Sequence, residues 1–232
     1  MKQQFTAKHP WTILAAGAAI QVLTGIPAAW GVFQQPVMDE YGLSEQGAGY
    51  AFGILIAAFG VGCVLGGFLQ DSRGPRCAAL WGTALLCGGF FAAAILPGGS
   101  AISFFLAFSI PAGLGTAFLY PSIQSCAQKW YAGRKGLATG VIGGAVGLSG
   151  AFLTVFVRTA VSGFGIVQGI RGAFWALGAI TLPVCLAGSL LLQDPPESRQ
   201  NQQGSGKNEI DLSPWQMLKT KQYWLCAGAV CF

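Results

Sequence analysis

Six stretches of this chain contain no Asp, Glu, Lys or Arg, and each is long enough, at about 1.5 Å of rise per residue, to cross a hydrocarbon layer roughly 30 Å thick as a helix. They run from Trp11 to Phe33, Gly47 to Leu69, Cys77 to Leu96, Ala101 to Ala127, Gly136 to Val157 and Gly172 to Gln193. Only 9% of the residues are charged and 53% are hydrophobic, a balance that no ordinary water-soluble domain carries. The expectation is an all-α, multi-pass membrane protein whose first partner is the lipid bilayer. A seventh apolar run begins near Tyr223 and reaches only Phe232, too short to span.

The net charge of +5 does not point to nucleic acid, because the basic residues sit in short loops between apolar runs. With the N-terminus in the cytoplasm, Lys2, Lys8, Arg73, Arg76, Lys129, Arg134, Lys135, Arg199, Lys207, Lys219 and Lys221 are all inside, 11 of the 13 basic residues, leaving Arg158 and Arg171 outside. The positive-inside rule therefore orients the chain in the plasma membrane with a cytoplasmic N-terminus. Seven Cys without a Cys-x-x-Cys pair predict neither a disulfide framework nor a zinc site, and no cofactor is expected. The spans show no paired carboxylates, no Ser/His arrangement and no metal cluster, so an enzyme is not expected. Gly204-Ser-Gly-Lys207 lacks the upstream Gly and the following Ser/Thr of a phosphate loop.

Along the chain, polar and helix-breaking residues fall at particular places. The first run carries Gln21, Thr24, Gly25, Pro27 and Trp30; Pro27 removes a backbone donor in mid-membrane, which predicts a helix facing a cavity. Gln34 to Gln46, with Asp39, Glu40 and Glu45, reads as a solvated acidic loop. Gly67 to Arg76 reads as a tight polar turn, Gly74 supplying the reversal and Asp71 a carboxylate able to meet a helix end or a guanidinium. In the fourth run Pro111 and Pro121 predict a helix that is not straight, with Tyr120 beside the second break. The fifth carries Gly136, Gly140, Gly143, Gly144 and Gly147 at spacings that leave a bare face for close helix packing. After the sixth, Asp194-Pro-Pro-Glu197 stops the helix and a Gln/Asn/Gly-rich stretch follows; Ser213-Pro214 then opens a short interfacial helix, Trp215 to Lys219. The expected organisation is a six-helix bundle over 1–193, a cytoplasmic linker over 194–221 and the start of a seventh helix over 222–232.

Gly67, Leu69, Asp71, Gly74 and Arg76 match the Gly-x-Leu-x-Asp-Arg-x-Gly-Arg-Arg loop of the major facilitator superfamily, with Ser72 and Pro75 departing from it. Together with Trp30-Gly-Val-Phe33, Leu119-Tyr-Pro121, Lys129 to Gly140 and Asp194-Pro-Pro-Glu197, the chain resembles the N-terminal half of the oxalate/formate antiporter-like branch, related to the monocarboxylate transporters. The resemblance implies twelve helices in two halves, with a small organic anion between them carried by alternating access. Gln21, Thr24, Trp30 and Tyr120 offer amide, hydroxyl, indole and aromatic groups as substrate contacts on one wall, with Trp30 equally readable as an interfacial anchor and Tyr120 as a packing residue; the resemblance implies a conformational latch of Gly67, Asp71, Arg73, Gly74 and Arg76 against the opposite half. Ser109 stands where many facilitators have an Arg, and Pro27-Ala28 stands where the oxalate carrier's Gln-Tyr is expected. No charge lies inside the six runs, so the anion's countercharge must come from a missing C-terminal half or a second subunit. The competing expectation is a truncated or split scaffold that transports nothing.

Overall fold

The computed structural model describes residues 10–97, 100–163 and 169–193, with positions 195, 220 and 224. The chain divides into two units, 1–195 and 196–232. The linker, its interfacial helix and the seventh run therefore lie, apart from those three positions, outside the described residues. Among its described residues the first unit has six helices that are apolar and long enough to cross a membrane. The first runs over Pro10–Tyr41 in two segments, Pro10–Thr24 and Ile26–Tyr41; the second is Glu45–Arg73 and the third Pro75–Ile95. The fourth is Ala101–Trp130, the fifth Lys135–Gly163 and the sixth Gly169–Leu191.

Two expected loops are helix instead. The stretch from Gln34 continues the first helix through Pro36 to Tyr41, so Asp39 and Glu40 are helical, and the reversal is made by Gly42 (φ 65°) with Ser44. Ser44 Oγ accepts from Gly47 N at 3.1 Å and caps the second helix. Likewise the second helix runs past Gly67 to Arg73, and only Gly74 (φ 88°, ψ 164°) leaves it. Gly74 N donates to Gln70 O at 2.7 Å, closing one helix, while Pro75 occupies the first turn of the next. In both cases the uncharged run marks the hydrocarbon layer, whereas the helix extends into the polar boundary, where charged side chains are solvated.

Packing follows an internal symmetry. The first helix packs on the fifth as the fourth packs on the second; the third lies against the sixth and the fourth, as the sixth lies against the third and the first. Exchanging helices one to three with four to six preserves this pattern, and three helices per repeat makes the repeats antiparallel in the membrane. The closest crossings use glycine. A Cβ on Gly25 would strike the Ser149 side chain where the first and fifth helices cross, and one on Gly113 would strike Leu55 O where the fourth crosses the second. The two helix pairs are the ones that the exchange of repeats carries into each other.

Between Phe105 and Ser109 the fourth helix widens into a π-turn. The proline ring at Pro111 would collide with the carbonyl of residue 107 in a regular α-helix, and the wider turn makes room for it. Pro121 sits inside the regular segment Ile110–Trp130, so the departure from ideal helix lies upstream of both prolines.

Candidate functional site

The first helix breaks at Gly25, with Pro27 in the opening turn of its second segment. Just before the break, Thr24 Oγ1 donates to Gln21 Oε1 at 2.8 Å. Both residues are buried, at 0% and 1% exposure, and Gln21 Nε2 has no hydrogen-bond partner among the described residues. One turn below, a Cβ on Gly17 would touch Ile123 of the fourth helix and Ile142 of the fifth. Gln21 therefore sits in the seam of the first, fourth and fifth helices. A buried amide with two unused N–H donors can receive an acceptor oxygen. Ser149 donates to Val146 O at 2.5 Å and lies 3.4 Å from Gly25 O, so the carbonyl at the break is approached by a hydroxyl as well as by Ala28 N at 3.1 Å.

The other two expected substrate contacts lie elsewhere. Trp30 is buried and stacked between Phe52 (5.9 Å) and Phe108 (6.3 Å), part of an aromatic core that continues through Phe90, Phe104, Phe174, Phe33 and Tyr41. Tyr120 is half-buried, its ring 6.4 Å from Phe59. No hydrogen bond or ring contact joins the Gln21–Thr24 pair to Trp30 or to Tyr120 among the described residues. Ser109, Ser122 and Thr181 are further buried hydroxyls without a partner among the described residues; Ser109 stands out in the sequence only as replacing an Arg, and the isolated hydroxyls of Ser122 and Thr181 give no signal in an apolar sequence.

Of the expected latch, Asp71 and Arg73 are exposed and Arg76 is half-exposed. None of the three forms an ion pair among the described residues. Gly67 is open, and so are Gly136, Gly140, Gly143, Gly144 and Gly147: a Cβ at any of them would find no atom within 4 Å. The fifth helix's glycine face thus takes no part in packing within this bundle. Backbone approach inside it is made instead by Gly25, Gly62, Gly66, Gly82, Gly113 and Gly115.

Contacts at the two ends were not legible from the runs. At the Tyr41 end, Glu40 Oε1 lies 2.7 Å from Arg171 Nε, off the N–H axis, so the contact is an ion pair rather than a hydrogen bond. The Arg171 guanidinium also lies over the Tyr41 ring at 5.9 Å, and Tyr41 Oη donates to Ala93 O at 2.7 Å. First, third and sixth helices meet there. At the Gly74 end, Trp130 Nε1 (2.6 Å) and Cys126 Sγ (3.3 Å) both donate to Gln193 O, just past the sixth helix. Tyr131 meets Trp11 edge to face at 6.0 Å, so one dipeptide holds both ends of the bundle's chain.

The Major Facilitator Superfamily profile matches residues 13–232. The oxalate:formate antiporter of Oxalobacter formigenes is 24% identical over 208 residues, which cover 88% of this chain and 47% of that protein. Monocarboxylate transporter 2 of Homo sapiens is 26% identical over 221 residues, 92% of this chain and 45% of the relative. An uncharacterized 38 kDa protein of Thermoproteus tenax is 30% identical over 183 residues, 78% of this chain and 46% of the relative. Among solved structures, a mutant of the peptide transporter POT in complex with sulfate superposes with a TM-score of 0.61 at 23% identity, over 100% of this chain and 46% of that one. The chain spans about half the length of the relatives it matches.

Proposed function

The chain belongs to the Major Facilitator Superfamily, and from that premise we propose that it is the N-terminal half of a transporter that moves a small organic anion by alternating access. The observation that carries this reading is the partnerless Gln21 amide at the broken first helix, a buried side chain with two unspent N–H donors beside the break. In this reading Gln21, with Tyr120 from the fourth helix, offers donors to carboxylate oxygens along one wall of the pathway, and Thr24 holds the Gln21 amide in place by donating to its Oε1. Trp30 supports that wall through its stack on Phe52 and Phe108. Similarity to an oxalate:formate antiporter and to monocarboxylate transporters supports the substrate class.

The middle of every helix is uncharged, so a dehydrated anion needs a cation that the partner bundle supplies, either as a C-terminal half or as a second subunit. The second and fifth helices expose apolar faces on which Gly53, Gly60, Gly140 and Gly144 have no neighbour, and these faces are where that bundle packs. The residues 194–221 link the two, and 222–232 begins the next helix. The protein lies in the plasma membrane with its N-terminus and the Gly74 turn in the cytoplasm, as the distribution of basic residues favours.

Asp71, Arg73 and Arg76, held by the one-residue turn at Gly74, form a latch against helix ends of the partner bundle, biasing inward-facing against outward-facing states. Asp71→Asn, made in the chain joined to its partner bundle, is expected to lower labelled-carboxylate exchange in proteoliposomes at least tenfold and to change labelling of a cysteine placed at the Gly74 end. Unchanged exchange together with unchanged labelling removes the latch. Exchange of a neutral solute in place of carboxylates removes the anion reading itself.

A further inference from the structure

Resting on the organic-anion reading, we infer that Arg171 presents a carboxylate-binding fork at the Tyr41 end of the bundle, oriented by Glu40 and Tyr41. The guanidinium is restrained twice, by the Glu40 carboxylate 2.7 Å from Nε and by the Tyr41 ring beneath Cζ at 5.9 Å. Tyr41 is itself fixed: it is 1% exposed, its hydroxyl is bonded to Ala93 O and its ring lies 4.7 Å from that of Phe104. Neither Nη forms a hydrogen bond among the described residues, and a third of the side chain (34%) stays open to solvent. Two parallel N–H donors on a planar group match the two oxygens of a carboxylate. Because the rotamer is already held, binding a carboxylate gives up little further side-chain freedom.

A half-exposed ion pair contributes little to stability, which leaves orientation of the open donors as the consequence of the Glu40 contact. The same carboxylate repels an arriving anion. Glu40 therefore sets the fork's direction at the cost of its affinity, and removing the Glu40 charge strengthens anion binding. A purely structural pair gives the opposite sign or none.

The test is a titration of the 232-residue chain, labelled with 15N-arginine and held in phosphatidylcholine nanodiscs, with oxalate against chloride at equal ionic strength. One guanidinium is expected to shift saturably with oxalate only, and the shift is expected to vanish in Arg171→Gln. Arg171→Lys, which keeps the charge and loses the fork, is expected to weaken binding several-fold. Glu40→Gln is expected to tighten it roughly tenfold, the effect of one like charge removed at this range. No saturable shift beyond chloride, or a Glu40→Gln variant that binds no tighter than the wild type, overturns the proposal. So does a shift produced by phosphatidylglycerol alone that excludes oxalate, since the fork then belongs to lipid headgroups. Binding with these signs in a protein that exchanges no carboxylate defeats the transport reading and leaves the fork standing.

Discussion

Gly115→Val is expected to leave little folded bundle in detergent or membrane, with a loss of about 3 kcal/mol or more, the upper end of what overpacking a tight contact costs. A Cβ at Gly115 would lie 2.5 Å from Leu86 N and 2.8 Å from both Gly82 O and Leu86 Cα. All three are backbone atoms of the third helix, and none can rotate away. The third and fourth helices would have to separate, and valine's branched side chain cannot turn to relieve the contact. In lipid, where apolar surfaces gain nothing by leaving water, close packing is the main attraction between helices, so separating them removes it. Thermal unfolding of the purified chain checks this, with Gly140→Val as the companion: no atom lies within 4 Å of a Cβ at position 140, and that variant is expected to melt near the wild type. Equal melting of the two would mean that the third and fourth helices do not cross this closely.

Phe108→Ala is expected to destabilise the bundle by about 3–5 kcal/mol, as for other buried aromatic truncations. Phe108 is fully buried, and its ring lies 5.0 Å from Phe174, 5.3 Å from Phe104, 6.1 Å from Phe90 and 6.3 Å from Trp30. It joins four helices through side chains that are themselves mutually packed, so the cavity cannot close by moving one of them. Leu106, two residues away and 62% exposed, serves as the control: Leu106→Ala is expected to change the melting temperature little. A Phe108→Ala melt that matches the Leu106→Ala melt would show that this aromatic core is not what holds the Tyr41 end together.

The helices and their number follow from the uncharged runs because lipid enforces one rule on every span, that backbone polar groups be bonded within it. The rule stops at the hydrocarbon boundary. It is silent on the continuation of the first helix to Tyr41 and of the second to Arg73, where charged residues are solvated and helix persists. Glycine spacing identified surfaces suited to close approach without saying which are used. Gly62 and Gly66 do meet the fourth helix, while Gly136, Gly140 and Gly144, with the same four-residue spacing, meet nothing in this bundle. The difference lies in which face each helix turns to its neighbours, and that is a property of the whole packing.

Of the candidate site, the break at Gly25 and Pro27 was legible because proline leaves a trace in any helix. The burial of Trp30 was not, since an indole in a span serves equally as a boundary anchor, a packing group or a ligand contact. Nor was the Glu40–Arg171 pair, whose members are separated by most of the chain and have no local pattern to connect them. Trp130 carried the signal of an interfacial aromatic, and its bond to Gln193 O depends on where the sixth helix ends.

The proposal is that this bundle, uncharged in the middle of each helix, forms one side of an anion pathway and depends on a cationic partner for the rest. Uptake of radiolabelled oxalate and of a labelled monocarboxylate into proteoliposomes tests it directly, comparing the 232-residue chain alone with the chain joined to a second six-helix bundle. The chain alone is expected to insert and to give no uptake above protein-free vesicles, with saturable uptake appearing only when the second bundle is present. Saturable uptake by the purified chain alone would contradict the account.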